Sequence, residues 1–264
     1  MIYYVINADN QQKRWASTLS RLNRIFPLNL SKRINRVSAV LGKTLSSEKI
    51  FDLKPNSQQP PFYPRSLTRG EIGCYLSHLS AWKQFLDTHE EWAVIFEDDS
   101  IMTPSACSFI QDANWIPKNT DIVQLSSWHS KSDLFFIKKK RIKLWGNFEL
   151  IQPIIPTSFG SQAYLINRKA AQIAIEESLK IRAPVDHMLF DQNSPIAKLV
   201  NVWTLSPFVI YQDEEENGST LTKGRSTIKR EVFWKYRILR RFRKFKMALQ
   251  KIFTLVPYVR SIDK

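Results

Sequence analysis

The feature that most constrains the fold is a continuous apolar run at residues 92–96 (WAVIF), which leads directly into Glu97, Asp98 and Asp99. A strand without polar alternation is typical of a sheet that is covered on both faces. Sheets of this kind occur in α/β proteins, which bind ligands beyond the carboxyl ends of their strands. The run therefore predicts an α/β fold with three carboxylates at a ligand-binding edge.

The residues before this run repeat the α/β pattern. A short apolar strand at residues 3–6, helical spacing of apolar side chains from Trp15 onwards and a strand at residues 36–40 form a strand–helix–strand unit. Four prolines predict a long surface loop over residues 43–67.

A capping box, with Thr68 at the N-cap and Glu71 three residues later, predicts the start of a helix that ends near His89. After the acidic residues, apolar patterning predicts six more strands and two helices. The strands are expected at residues 122–125, 134–137, 150–155, 160–166, 200–205 and 208–211, and the helices at residues 169–179 and after Pro184.

The net charge of +15 is concentrated at one end of the sequence. Residues 223–264 contain fourteen Lys and Arg against two acids, a net of +12, whereas residues 1–222 carry 25 basic and 22 acidic side chains. In the tail, apolar side chains recur every three or four positions between basic ones, which predicts a cationic amphipathic helix. We therefore predict an α/β domain at residues 1–222 and a basic helical tail at residues 223–264.

Three interpretations of this tail stay open. A cationic helix with an aromatic face suits an anionic membrane surface, which we favour. Nucleic acid is disfavoured because no nucleic-acid-binding fold is recognisable, and the apolar face also fits packing on protein. The sequence has no signal peptide and no run of about 18 apolar residues. We expect the protein in the cytoplasm, peripheral on the inner face of the cell membrane; the oligomeric state is left open.

The three acids suit a metal site. Carboxylates one residue apart at a strand end place oxygens on one side, which favours a hard divalent cation, Mn²⁺ or Mg²⁺, that also holds phosphate oxygens. The alternative is a solvated turn or a helix cap. Cys74 and Cys107 are predicted to be buried, reduced thiols, and their spacing does not indicate a zinc site.

Several strings in chain order resemble glycosyltransferase family 25, which contains bacterial lipooligosaccharide and lipopolysaccharide transferases and collagen galactosyltransferases. The resemblance covers residues 2–220, and its strings are residues 5–7 (VIN) with Arg14, 36–42 (RVSAVLG), 68–78 (TRGEIGCYLSH), 95–99 (IFEDD), 160–166 (GSQAYLI) and 184–186 (PVD). One departure is Leu41, where the family usually has an Asp before the glycine; this puts donor choice in question.

The resemblance implies a GT-A-type nucleotide-sugar transferase fold with a Rossmann-like mixed sheet at residues 1–222. It implies an inverting, metal-dependent transfer of a hexose, galactose or glucose, from a UDP-sugar to a lipid-linked oligosaccharide of a lipooligosaccharide or lipopolysaccharide core. By this resemblance Asp99 binds the metal, Glu97 binds the metal or the ribose, and Asp98 contacts the donor. Asp186 is the expected general base, although a helix-start residue is the plain alternative.

The remaining site residues have weaker signals, each with a structural alternative. Gln212 is a candidate third metal ligand, although a neutral amide binds such a cation weakly. Donor contacts are expected from Asn7, Arg14 and Arg69, and acceptor or sugar contacts from His78, Gln162 and Tyr164. A lone Arg is often a solvated surface group, a His often bonds to nearby backbone, and a Tyr often belongs to the core.

Two other classes of function compete with this interpretation. A nucleotidyltransferase-like enzyme also places acids at a strand end, but residues 6–12 lack the glycines of a phosphate-binding loop. A non-enzymatic basic binding protein would use residues 223–264 alone and would leave the acids after a buried strand unexplained.

Overall fold

The structure, a computed structural model, describes residues 1–25, 32–53, 63, 65–127, 136–155 and 159–213. The predicted tail at residues 223–264 lies outside these ranges. No helix in the described ranges is long and apolar enough to span a membrane.

Eleven strands are present in the described residues: β1 (Ile2–Asn7), β2 (Ile34–Ser38), β3 (Trp92–Glu97), β4 (Ser100–Met102), β5 (Ile122–Gln124), β6 (Ser126–Ser127), β7 (Phe136–Lys143), β8 (Glu149–Ile155), β9 (Ala163–Asn167), β10 (Val202–Ser206) and β11 (Ile210–Gln212). The α-helices are α1 (Gln12–Ile25), α2 (Ser47–Leu53), α3 (Arg69–Leu86), α4 (Ala106–Ile110), α5 (Arg168–Glu176), α6 (Val185–Phe190) and α7 (Pro195–Leu199). Short 3₁₀ turns cover Gly42–Thr44 and Glu177–Leu179.

The main sheet has the strand order β2-β1-β3-β9-β5-β10-β8-β7. Strands β2, β1 and β3 are parallel, and β9 lies antiparallel between β3 and β5. A second sheet, β4-β11-β6, lies where β3 continues past the acidic residues. The predicted α/β class with a mixed sheet is confirmed in the described residues.

The sheet is covered on both faces, as the apolar run predicts. Val94 and Phe96 of β3 belong to one buried cluster, whereas Ala93 and Ile95 belong to the other. All four side chains have no exposed surface. This alternation buries every residue of the strand core and leaves only its end, at Glu97, to meet solvent or a ligand.

Helix α3 begins at the predicted capping box and lies very close to the turn after β2. A Cβ at Gly42 would lie 1.8 Å from the carbonyl oxygen of Arg69, and one at Gly73 would lie 2.4 Å from that of Val40. Two glycines are therefore required because backbone meets backbone. The contact holds the start of α3 against the segment that follows β2.

The predicted loop at residues 43–67 is wrong in its first part. The structure has a 3₁₀ turn at Gly42–Thr44 and helix α2 there, and the Ser46 hydroxyl accepts a hydrogen bond from the backbone N–H of Lys49. Ser46 thus supplies an N-terminal capping bond. The four prolines begin only at Pro55, beyond the helix.

Strand β9 begins at Ala163 rather than at Gly160, and β7 runs on to Lys143. The short elements β4, α4 and α7 were not predicted, because each is only three to five residues long and shows no full period of apolar side chains.

Candidate functional site

The acidic residues lie at the carboxyl edge of the parallel strands. Glu97, the last residue of β3, pairs with Ile6 of β1, and the Asp98 N–H donates to the Ile6 carbonyl at 3.1 Å. Asp98 and Asp99 then form the turn into β4. The order of β1, β3 and β9 therefore places the acids between the ends of β1 and β9.

Asp98 anchors this turn. Its Oδ2 accepts from Asn7 Nδ2 at 2.7 Å, and its Oδ1 lies 2.9 Å from the Arg14 guanidinium. The Asp98 carbonyl accepts from the Thr18 hydroxyl at 2.6 Å and from Arg21 at 3.3 Å. Both carboxylate oxygens are engaged, so Asp98 joins β1 and α1 to the acidic turn.

Asn7, predicted to contact the donor, is almost fully buried and is occupied within the protein. Its Oδ1 accepts from Arg36 at 2.7 Å, while its amide nitrogen holds Asp98. Arg14 keeps about a quarter of its side chain exposed and lies 3.7 Å from Asp99 as well. Of these two predicted donor contacts, Arg14 is the one placed to meet an anionic ligand.

Asp99 has the environment of an incomplete cation site. Gln212 Nε2 donates to its Oδ2 at 2.9 Å, whereas its Oδ1 is buried without a hydrogen-bond partner among the described residues. Burial first, and then repulsion from Glu97, raises the pKa of Asp99 to about 7. A divalent cation would supply the missing partner and offset the repulsion, so these oxygen donors fit Mn²⁺ or Mg²⁺.

Gln212, the predicted third metal ligand, does meet Asp99. It presents its amide nitrogen to Asp99, and its oxygen accepts from Gln162 Nε2 at 3.3 Å. In this orientation Gln212 donates a hydrogen bond to Asp99, the predicted metal ligand, and does not itself offer an oxygen to a cation. An exchange of its amide nitrogen and oxygen would be needed to make it a ligand.

Glu97 is held through one oxygen. The Ser161 hydroxyl donates to its Oε1 at 2.6 Å, and His78 Nε2 lies 3.4 Å from the same atom. Burial acts to raise the pKa of Glu97, but the hydrogen bonds from His78 and Ser161 outweigh it and lower the pKa overall. Glu97 is therefore an ionised neighbour of Asp99.

Cys74, His78 and Glu97 form a second group that has the composition of a metal site. One donor atom from each lies within 4.8 Å of the others. The prediction that no zinc-type spacing exists overlooked this group, because Cys74 and His78 are four residues apart on α3 and share a face of that helix. A thiolate, an imidazole and a carboxylate suit Zn²⁺ better than Mn²⁺.

The three predicted acceptor contacts are all buried. His78 and Tyr164 have no exposed surface, and Gln162 is 6% exposed. His78 Nδ1 and Trp82 Nε1 both lie within 2.9 Å of the Tyr164 hydroxyl. Tyr164 is therefore placed as a core tyrosine, which was the alternative interpretation of this residue. The acceptor contacts of all three residues stay predictions.

Arg69 is held by residues at the start of α2, and its predicted donor contact stays a prediction. Its guanidinium donates to the Leu45 carbonyl and to the Ser47 hydroxyl, and thereby ties α3 to the start of α2. These two hydrogen bonds give Arg69 a structural role that does not require a bound ligand.

Asp186 is the second residue of α6, and its Oδ1 accepts from the backbone N–H of His187 at 2.9 Å. Burial is the main cause that raises the pKa of the Cys74 thiol. The charges of Glu97, Asp186 and Asp99 raise it further. The role of Asp186 as the base stays a prediction.

Three residues that contact the acidic turn were not predicted from the sequence: Thr18, Arg21 and Ser161. Thr18 and Arg21 follow Arg14 by four and seven residues, so helical spacing from a predicted site residue was the available signal. Ser161 gave no comparable signal, because its contact with Glu97 joins residues 64 positions apart.

Comparison with known proteins gives consistent results. The sequence model of "Glycosyltransferase family 25 (LPS biosynthesis protein)" matches residues 1–189. The lipooligosaccharide biosynthesis protein lex-1 of Haemophilus influenzae is 28% identical over 194 residues, which cover 67% of this chain and 63% of that protein. A glycosyltransferase 25 family member of Anopheles gambiae is 25% identical over 79% of this chain and 36% of that protein.

Procollagen galactosyltransferase 2 of Homo sapiens is 31% identical over 46% of this chain and 21% of that protein. The chain thus spans less than two thirds of the length of these relatives. Among solved structures, a glycosyltransferase involved in glycosylation of the major capsid of PBCV-1 aligns with a TM-score of 0.43 and 9% identity, over 86% of this chain and 98% of that one. Since the family model covers 189 of the 264 residues, the chain belongs to glycosyltransferase family 25.

Proposed function

We propose that the protein is an inverting, metal-dependent glycosyltransferase that moves a hexose, galactose or glucose, from a UDP-sugar to a lipooligosaccharide or lipopolysaccharide core. The observation that carries this proposal is the Oδ1 of Asp99, which is buried beside Glu97 and has no hydrogen-bond partner in the described part of the chain, at the carboxyl edge of the sheet in a family 25 chain. A carboxylate pair with one buried oxygen left without a partner among the described residues suits a cation bound together with a diphosphate.

In this proposal Asp99 and Glu97 hold Mn²⁺ or Mg²⁺, with Gln212 beside them. The bound cation would offset the negative charge that builds on the UDP leaving group. Arg14 lies between Asp98 and Asp99 and can turn from these carboxylates towards the diphosphate once the cation neutralises them.

The acceptor hydroxyl must lose its proton as it attacks the anomeric carbon. We assign this proton to Asp186, whose carboxylate lies in the first turn of α6 and which the family resemblance singles out. An inverting transfer takes place in a single displacement, so one base on the acceptor side is sufficient.

The donor and acceptor are proposed from relatives. Two relatives are a procollagen galactosyltransferase and a lipooligosaccharide biosynthesis protein, which support galactose as the hexose and a bacterial glycolipid as the acceptor. Leu41, which replaces the usual acid, keeps glucose open as the second hexose to test.

The tail at residues 223–264 is proposed to hold the enzyme on the cytoplasmic face of the membrane, where lipid-linked acceptors are extended. Its support is its charge of +12 and its amphipathic spacing.

A transfer assay tests the proposed function. The full chain is incubated with UDP-galactose or UDP-glucose and with lipooligosaccharides of truncated core, in Mn²⁺ or in EDTA, and the product is analysed by NMR. We expect a β-linked hexose from the α-linked donor in Mn²⁺ only, and its loss in Asp99→Asn but not in the exposed control Asp52→Asn. Transfer in EDTA, or by Asp99→Asn, would overturn the metal assignment.

A further inference from the structure

A chain of hydrogen bonds runs behind the acidic turn. Trp82 Nε1 lies 2.8 Å from the Tyr164 hydroxyl oxygen, which lies 2.9 Å from His78 Nδ1. His78 Nε2 in turn lies 3.4 Å from Glu97 Oε1. The three aromatic side chains have no exposed surface, so the chain is shielded from water until it reaches the carboxylate.

The two ends of the chain fix its direction. Indole N–H only donates, and an ionised carboxylate only accepts. For a neutral imidazole, Trp82 therefore donates to Tyr164, the Tyr164 hydroxyl donates to His78 Nδ1, and the ring proton resides on Nε2, where it points at Glu97. The opposite tautomer would turn the Nε2 lone pair towards the carboxylate and would deprive the Tyr164 proton of its acceptor.

We propose that His78 is a positioning residue, which holds Glu97 in its place at the donor site by donating from Nε2 to Oε1. Tyr164 and Trp82 are assigned the task of keeping His78 in that tautomer. The Ser161 hydroxyl donates to the same Glu97 oxygen at 2.6 Å, so two donors hold the carboxylate through one atom. The proposal rests on the proposed function insofar as Glu97 binds the metal or the donor.

This assignment competes with a zinc-type site at Cys74, His78 and Glu97. A metal on Nε2 requires that nitrogen to lose its proton, which would move to Nδ1 and break the donation from Tyr164. The hydrogen-bonded chain and the occupied metal site therefore exclude each other, and a single sample can distinguish them.

A pair of amide variants isolates the proposed bond. In His78→Gln the amide nitrogen can occupy the place of Nε2 and still donate to Glu97, whereas in His78→Asn the shorter amide replaces Nδ1 and leaves Glu97 without this donor. Both variants lose the ring, and Asn is also one methylene shorter than Gln, so their melting temperatures are compared to correct for the difference in packing. Partners of this kind typically contribute about 10–100-fold to metal affinity or activity.

We expect His78→Asn to raise the KM for UDP-sugar in Mn²⁺ about 10–100-fold and His78→Gln to stay within about threefold of the wild type. Thermal melts of both variants check the fold. Equal losses in the two variants, with equal melting temperatures, would contradict the positioning role.

The tautomer is read directly from nitrogen-15 NMR of the His78 ring in the wild-type protein, which needs neither activity nor a variant. We expect a protonated Nε2 and an unprotonated Nδ1, and a loss of this preference in Tyr164→Phe. An unprotonated Nε2, or a thiolate-to-metal charge-transfer band on addition of Co²⁺ that disappears in Cys74→Ser but not in Cys107→Ser, would overturn the proposal in favour of the metal site.

These outcomes separate the inference from the proposed function. If the wild type transfers hexose and Asp99→Asn does not, the proposed function stands whatever His78 does. If no transfer is found, the NMR measurement still decides the tautomer.

Discussion

Replacing Asp99 with asparagine is expected to stabilise the metal-free protein while abolishing its response to Mn²⁺. The side chain is only 15% exposed, and burial followed by repulsion from Glu97 raises its pKa from 3.8 to about 7. Each pKa unit corresponds to about 1.36 kcal/mol, so the ionised carboxylate costs the metal-free fold about 4 kcal/mol. Asparagine removes the charge and can still accept from Gln212 through its amide oxygen.

The sign of the pH dependence follows from proton linkage. Between about pH 4 and pH 7 the folded protein keeps the Asp99 proton that the unfolded chain has lost. The bound proton contributes fully to the free energy of unfolding below pH 3.8, and this contribution is lost as the pH rises through about 7. The gain in Asp99→Asn should therefore grow from under about 1 kcal/mol at pH 4 to about 2–4 kcal/mol at pH 8.

Urea unfolding in EDTA at several pH values measures this gain, with the exposed Asp52→Asn as the matched control. In Mn²⁺ the order should reverse, because the cation stabilises only the wild type by mass action. A loss of stability in Asp99→Asn at pH 8 in EDTA would refute the reasoning, since it would mean that the carboxylate is already satisfied by the protein.

Three further predictions concern the base, the backbone contact and the tail. Asp186→Asn should keep UDP-sugar affinity, measured by calorimetry, and lose about 10²–10⁴-fold in kcat; unchanged kcat would place the base elsewhere. Gly42→Ala should lower the free energy of unfolding by about 3 kcal/mol or more, because its Cβ would lie 1.8 Å from a carbonyl oxygen. The control Gly146→Ala, at a positive φ in open space, should lower it by about 1 kcal/mol. Equal urea midpoints of the two variants would contradict this expectation. Removing residues 223–264 should abolish sedimentation with anionic vesicles and preserve turnover of UDP-sugar; retained sedimentation would exclude the tail as the anchor.

The sheet and the position of the acids could be predicted because their signals are local. The apolar run at residues 92–96 is continuous, the acids follow it directly, and the capping box of α3 consists of Thr68 and Glu71 within one turn. Each signal depends on neighbours in sequence, and the structure confirms the strand, the helix start and the edge position.

The partners of the acids could not be predicted in the same way. Glu97 meets Ser161 and Asp99 meets Gln212 across 64 and 113 positions, and only the strand order brings these residues together. Gln212 was identified from the family resemblance, and Ser161 was missed. Long-range pairs of this kind leave no periodic pattern in one sequence.

Arg69 has contacts within the protein that its motif did not predict. It lies within the family string, and the donor contact expected from that string stays a prediction. The close approach of Gly42 and Gly73 brings the start of α3 against the segment after β2, where the guanidinium donates to the Leu45 carbonyl. The contact depends on backbone distances that the sequence does not encode in any spacing.

The most direct test of the central claim is calorimetric titration of UDP-galactose and UDP-glucose into the full chain, with Mn²⁺ and with EDTA, for the wild type and Asp99→Ala. We predict binding of at least one UDP-hexose by the wild type in Mn²⁺, with little binding in EDTA or by the variant. Equal affinity of the wild type and Asp99→Ala, or equal affinity with and without Mn²⁺, would contradict the assignment of the acidic turn as the metal and diphosphate site.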